Sequence, residues 1–390
     1  MGAKINKQSG FVSLFTVIFF MLLITVITVG FLRIMAVEQR QSLDNDLTAS
    51  ALAAAEAGIE DGKRALLAYY DPATNASLKS DLATAFSSAS TSCDSLSGVP
   101  SIQTQIGITG QAVGSNSLNQ KYTCLNVKLN SPDYLGSSQA SSSEIFPLRG
   151  VGPYDQIKVS WHLLSTSVGT EGDGQPIRLV PITQSLLPQT GGAGFNWSSQ
   201  GYPAYLRVQL FGYPSSGSFD RNILNDRSRT VFLVPVDGGG SSAIDLGTAD
   251  SSHNFDVVKG SPNSNVNCSS DFTQFNTYLC TATLSLPAGA TYASTSNNYF
   301  LRVTPIYGAT HFRVQLYNST TSSSVDLSDV QPLIDSTGKA EDVYRRIQTR
   351  VRINAINGLP EFSAESANTI CKNMVVADGS AGSWQLNNCP

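Results

Sequence analysis

The sequence predicts an α+β protein. One long N-terminal α-helix, with a membrane half and an amphipathic half, packs on a large antiparallel β-rich head, sandwich-like and closed by disulfides. Three observations predict this. No proline interrupts the chain from Phe11 to Asp71, and Pro72 gives the first clear stop. After it, runs rich in Val, Ile, Tyr, Phe and Thr alternate with clusters of Gly, Pro, Asn and Ser. Six cysteines sit in a chain of 390 residues whose charged fraction is only 14%, against a typical quarter. A net charge of −4 without a basic block argues against nucleic acid as a partner. A neutral, Ser/Thr-rich chain carrying cysteines reads as exported.

The helix begins with 22 uncharged residues from Phe11 to Leu32. At about 1.5 Å per residue they span roughly 33 Å, the thickness of a bilayer core. Ser13, Thr16, Thr25 and Thr28 fit such a segment, because their hydroxyls can bond back to helix carbonyls. The run is long for a cleavable secretory signal and no A-x-A site follows it. A plain membrane anchor satisfies the same residues. Gly30 is the one helix breaker within the run.

Ahead of the run stands MGAKINKQSG, a polar leader with Lys4 and Lys7 that ends in Gly10 directly before Phe11. This arrangement resembles the class III signal of type IV pilins and of the pseudopilins of type II secretion. The resemblance implies cleavage between Gly10 and Phe11 by a prepilin peptidase, followed by N-methylation at Phe11. A residue without a side chain suits a narrow peptidase site at the membrane edge. Most pilins carry a glutamate at the fifth mature position, which here is Phe15. The chain is therefore more similar to PilX-type minor pilins and to the large tip pseudopilin. The segment ALAAAEAGIE at Ala51–Glu60 strengthens that likeness. The resemblance covers roughly residues 1–68.

The second half of the helix carries Leu43, Leu47, Ala51, Ala54, Gly58 and Gly62 every three or four residues, a single stripe. Ala54, Gly58 and Gly62 leave no bulk on it, which points to close approach of a sheet or another helix. Arg40–Asp44 and Glu60–Arg64 are placed to pair at i,i+4.

The rest reads as strands, after a short helix at Ser77–Phe86. The expected strands are Pro100–Ile108, Lys121–Leu129, Tyr154–Leu164, Pro176–Ile182, Tyr202–Gly212, Thr230–Val236, Tyr278–Leu286, Asn298–Tyr307, Thr310–Tyr317 and Tyr344–Ile353. LRVQL at Leu206–Leu210 and FRVQL at Phe312–Leu316 nearly repeat, as half-buried strands readily do. In the last strand, Arg346, Gln348, Arg350 and Arg352 share one face, with Ile347, Thr349, Val351 and Ile353 on the other. That basic face is either solvated and balanced by Glu341 and Asp342, or a surface for an acidic partner or polysaccharide. The organisation read from this is a leader at 1–10, the helix at 11–70 and a Ser/Thr-rich region at 71–150. A β-rich head at 151–354 and a cysteine-bounded tail at 355–390 follow.

The cysteines fall into three groups of two. Local closure costs least loop entropy, which favours Cys93–Cys124, Cys268–Cys280 and Cys371–Cys389. The last pair would close a loop around Trp384, similar to the C-terminal disulfide region of many pilins. No P-loop, G-x-S-x-G, H-E-x-x-H or dinucleotide fingerprint occurs, and GGGSS at Gly238–Ser242 lacks the lysine of a phosphate loop. His162, His253 and His311 are far apart in sequence and have no neighbouring cysteine or acidic run. No cofactor is expected. Calcium is the one candidate, through Gly172-Asp173-Gly174, Asp237, or Asp326 with Asp329, without EF-hand spacing.

The resulting expectation is a filament subunit and not an enzyme. It waits in the cell membrane with its N-terminus cytoplasmic, then assembles through its helix with other pilin subunits. Its head is displayed outside the cell, with a host-cell surface or a glycan as candidate ligand. The rivals are a stand-alone adhesin or carbohydrate-binding protein on an uncleaved anchor, and an anchored cell-wall enzyme.

Overall fold

The computed structural model describes residues 9–88, 96, 99–108, 119–163, 180–181, 204–214, 228–237, 243–246, 265–268, 277–286 and 297–353. The helices are α1 (Ser9–Tyr70), α2 (Ala76–Ser88) and α3 (Pro100–Ile106). The strands are β1 (Lys121–Ser131), β2 (Tyr134–Ser138), β3 (Glu144–Leu148), β4 (Gln156–Leu163), β5 (Val180–Pro181), β6 (Tyr205–Pro214), β7 (Ser228–Asp237) and β8 (Ala243–Asp245). They continue with β9 (Asn265–Asn267), β10 (Tyr278–Ser285), β11 (Asn297–Ile306), β12 (Thr310–Asn318), β13 (Ser323–Val325), β14 (Leu327–Ala340) and β15 (Val343–Arg350). A long apolar helix and a large, mainly antiparallel β region make the chain α+β.

Two compact units divide the described residues. The first holds residues up to Ser131 and from Ser328 onward; the second runs from Pro132 to Leu327. Residues 328–353 therefore join the helix, whereas the sequence grouped them with a head at 151–354.

In the first unit the sheet order is β1-β14-β15, with β14 and β15 antiparallel. β14 is the central strand, yet its sequence LSDVQPLIDSTGKA hides it. Proline, glycine and serine argue against a strand. Here the small residues have a reason. Ile334, Ser336, Gly338 and Ala340 alternate as the buried positions of one face, and that face meets α1. α2 starts where Asn75 Oδ1 accepts the Leu78 N–H at 2.7 Å. It buries Leu78, Leu82, Ala85 and Phe86, a helical spacing, against Leu66, Leu125 and Val127.

The strand expected at Pro100–Ile108 is instead α3. Pro100 opens the helix and Gly107, at φ 73°, closes it by donating its N–H to the Gln103 carbonyl. Ile102 and Ile106 fit period two and also i,i+4, so alternation alone could not separate the two.

The second unit contains two six-stranded sheets among its described residues. One runs β13-β12-β4-β10-β8 with β2 also on β12; the other runs β3-β11-β6-β7-β5 with β9 also on β7. The long pairs are antiparallel, and the parallel ones involve only the short β5, β8 and β9. LRVQL lies in β6 and FRVQL in β12, so the near-repeat falls in different sheets. β2 and β3 were missed, being short, Ser-rich or interrupted by Pro147. The expected Pro176–Ile182 strand is described only at Val180–Pro181.

Gly338 gives a direct test of the helix–sheet contact. A Cβ there would collide with the Ala51 carbonyl oxygen and the Ala55 nitrogen, both backbone atoms that cannot step aside. Gly338→Val is expected to destabilise the first unit by about 3 kcal/mol or more, as severe overpacking does. Gly152→Ala, with nothing within 4 Å, is expected to change little. Thermal unfolding of the two variants by circular dichroism compares them.

Candidate functional site

Length and exposure single out α1. It runs unbroken for 62 residues, about 93 Å at 1.5 Å per residue. From Leu14 to Leu32 every large apolar side chain is exposed, from 42% at Leu23 to 72% at Val26. No side of this half is covered by the described residues. Each such side chain left in water forgoes about 1.5–3 kcal/mol of burial, which favours a nonpolar environment around this half. The helix is long and apolar enough to cross a membrane. Its polar residues close on themselves: Thr28 Oγ1 donates to the Ile24 carbonyl at 2.8 Å, and Thr25 Oγ1 to that of Met21. Gly10 and Phe11 fall within the first turn and a half of α1. Phe15 is exposed at 68%. A Cβ on Gly30 would meet nothing within 4 Å, so no close contact among the described residues calls for that glycine.

The second half of α1 lies on the sheet. Ala51, Ala54, Ala55, Gly58, Ile59, Gly62, Ala65 and Leu66 are its buried positions, recurring every three or four residues. Gly58 sits against Ser336 and the Tyr122 ring, where an added Cβ would be 3.2 Å from Tyr122 Cγ. Gly62 sits against Ile334, where an added Cβ would be 2.7 Å from Cγ2. Leu43 does not join this contact. It is exposed, Leu47 is half-buried, and the covered stretch begins near Ala51.

Ion pairing along α1 differs from the expected i,i+4 pattern. Glu60 pairs with Lys63 at 2.6 Å and Asp61 with Arg64 at 3.1 Å, both i,i+3. Asp61 also accepts the Tyr122 hydroxyl at 2.9 Å, which places an acid close to Arg64 that Glu60 does not match.

The arginines of β15 are engaged on both faces of the sheet. Arg345 reaches across to Thr48 Oγ1 on α1 at 3.1 Å. Arg346 makes a two-pronged pair with Asp335, with its Nε 2.7 Å from Oδ1, and Gln348 donates to the same carboxylate at 2.8 Å. Arg350 donates to Gln331 Oε1 at 3.4 Å. The acid opposite Arg346 is thus Asp335, not Glu341 or Asp342. Burial pushes the Asp335 carboxyl up, but hydrogen bonds from Arg346 and Gln348, with the charges of Arg346 and Lys128, outweigh it and hold it below 3.8. Asp335 was invisible in the sequence because its strand was.

Cys268 and Cys280 form a disulfide across 12 residues, with Cα atoms 4.4 Å apart. Cys268 follows β9, donates its N–H to the Val236 carbonyl on β7, and bridges to β10. The bond therefore ties one six-stranded sheet to the other. Cys124 is disulfide-bonded as well. Cys93, Cys371, Cys389 and Trp384 lie outside the described residues, as do His253 and Gly172–Gly174.

Asp326 and Asp329 belong to different units, and Asp329 accepts the Tyr70 hydroxyl at 3.0 Å. Among the described residues no three His, Cys, Asp or Glu side chains are grouped to hold a metal. His162 and His311, far apart in sequence, come close enough to interact electrostatically. Comparison of the chain with family models, curated proteins and solved structures finds no match.

Closing a loop of this size contributes about 3 kcal/mol in the chain-entropy account. Replacing Cys268 and Cys280 together by alanine is expected to lower the unfolding free energy of the second unit by about that much. Urea titration followed by tryptophan fluorescence reads it through Trp161, which is buried in β4. An unchanged midpoint would show that β7, β9 and β10 hold without the bond.

Proposed function

We propose that the chain is a minor pilin-like subunit of a type IV pilus or a related filament, held in the membrane and assembled through α1. The observation that carries this reading is the division of labour within one unbroken helix. Its first half is apolar and bare on all sides; its second half is fastened by glycines and alanines to the β1-β14-β15 sheet. A subunit needs a helix that can exchange lipid for other helices, and a head that moves rigidly with it.

In this reading a prepilin peptidase cuts between Gly10 and Phe11 and the new amine is methylated. Before assembly the protein is a single-pass membrane protein with a cytoplasmic N-terminus. After assembly the head is displayed at the cell surface, for initiation at the tip or for adhesion to a host-cell surface or glycan. The protein works by assembly and not by catalysis. The two sheets of the second unit are read as layers of a sandwich. Support comes from Trp161 Nε1 donating across to the Ala204 carbonyl at 3.1 Å, and from Tyr134 stacking on Phe146 at 3.8 Å.

A tip position follows from charge. A mature pilin amine is positive, and an unpaired buried charge costs several kcal/mol, so a repeating subunit needs an acid nearby. Phe15 stands at the fifth mature position and no acid occurs from Phe11 to Leu32. The first subunit placed has no earlier amine to neutralise.

Intact mass and N-terminal sequencing of membrane-extracted protein are expected to give a methylated Phe11 N-terminus, and Gly10→Leu is expected to block processing. A chain still carrying the leader would favour the stand-alone anchored adhesin. In sheared filaments, quantitative mass spectrometry is expected to find this chain at low copy number. Its being the most abundant pilin would overturn the tip assignment.

A further inference from the structure

His162 is a buried imidazole in a left-handed backbone conformation, φ 62°, inside a strand. Such a conformation is unusual for a residue with a side chain and asks for a local reason. The reason lies in Ala204, which precedes β6. Trp161 Nε1 donates to the Ala204 carbonyl at 3.1 Å, and the Ala204 N–H donates to His162 Nε2 at 3.1 Å. Neighbouring strand residues ordinarily face opposite ways. The left-handed turn at His162 breaks that alternation, so both side chains grip one residue, Ala204, by the peptide groups on either side of its Cα. The His162 N–H in turn donates to Thr310 Oγ1 on β12 at 3.2 Å. β4 belongs to one six-stranded sheet and β6 to the other. The clamp joins them.

We propose that the grip of Trp161 and His162 on Ala204 is an acid-released latch between the two sheets of the second unit. The bond from Ala204 requires a bare lone pair on Nε2. A proton on Nε2 removes the acceptor and sets two donors face to face, with no room for water at an imidazole that is 5% exposed. Burial, then the neighbouring His311, push the imidazole down from 6.5 to about 3 while the latch is closed. Other titratable or charged groups on the surrounding elements are Tyr205 beside Ala204, Tyr307 ahead of β12, and Tyr278 opposite Leu163 on β10. Arg313 on β12 lies over the Tyr278 ring at 4.9 Å. Burial raises the phenols of Tyr205 and Tyr307, so both stay neutral in the acid range. The sign is therefore fixed by the imidazole. The latch is fully closed above pH 6.5 and weakens as pH falls from 6.5 toward 3.

Hydrogen exchange of the full chain in detergent tests this, read on peptides covering the start of β6 and corrected for intrinsic exchange. Relative to pH 8, opening is expected to rise about tenfold at pH 5.5 and about a hundredfold at pH 4.5. His162→Gln places an uncharged acceptor near Nε2 and is expected to keep protection independent of pH over this range. Equal pH dependence in both proteins, or none in the wild type, would overturn the proposal. Should the variant not fold, nitrogen NMR of the wild type decides. Nε2 unprotonated from pH 8 down to pH 4.5 supports the latch; a proton on Nε2 at neutral pH, or titration near 6.5, removes it.

Discussion

The backbones of α1 and β14 meet with no side chain between them at Gly338, and most of the first unit follows from that contact. The Ala51 carbonyl and the Ala55 nitrogen occupy the space where a side chain on Gly338 would begin. A helix can come this close only if its own contact stripe is small, hence Ala51, Ala54, Ala55, Gly58 and Gly62. The glycines are unfavourable to the helix in isolation, each by about 1 kcal/mol against alanine. The close approach offsets this by burying Ile334 completely and bringing Tyr122 and Leu125 onto the helix. With the helix pinned, α2 and α3 complete the core around Leu82, Phe86 and Ile102.

The same contact gives the bare half of α1 its mechanical meaning. In a hydrocarbon environment every backbone polar group must be satisfied internally, which a helix achieves and an irregular chain does not. Because α1 continues without a break from that half onto the sheet, a displacement of the apolar end is transmitted to the β1-β14-β15 sheet. A flexible tether would anchor equally well but transmit nothing. That coupling is what the proposed assembly role requires of the helix.

Which parts were legible in the sequence follows from where the chain obeys one period. The apolar run, the stripe at Ala54, Gly58 and Gly62, and alternating strands such as β6 and β12 each repeat a single pattern. β14 did not read as a strand because its residues answer to the helix above them: Gly338, Ser336 and Ala340 are small for clearance, at the expense of strand propensity. Asp335 disappeared with it, leaving Arg346 without its true partner. α3 failed for a different reason, since two isoleucines four apart satisfy both periods and only Pro100 and Gly107 distinguish them. His162 was beyond reach because its role depends on a backbone reversal and on Ala204, 42 residues away.

The two-unit organisation also explains how so large a second unit is accommodated. The chain leaves the first unit at the end of β1 and returns at the start of β14, and these two strands are neighbours in one sheet. The exit and the re-entry are therefore held together by the sheet itself. Loop-closure entropy grows only logarithmically with length, by about 0.6 kcal/mol for each doubling. A long insertion at this point costs the sheet little more than a short one, provided that the insertion folds on its own hydrogen bonds. The second unit does so, with two six-stranded sheets among its described residues and a disulfide that ties β9 to β10. The glycine contact that fixes α1 on β14 is made by first-unit residues, Gly58, Gly62 and Gly338 with Ala51, Ala55, Tyr122, Ile334 and Ser336, so what lies between β1 and β14 does not enter it.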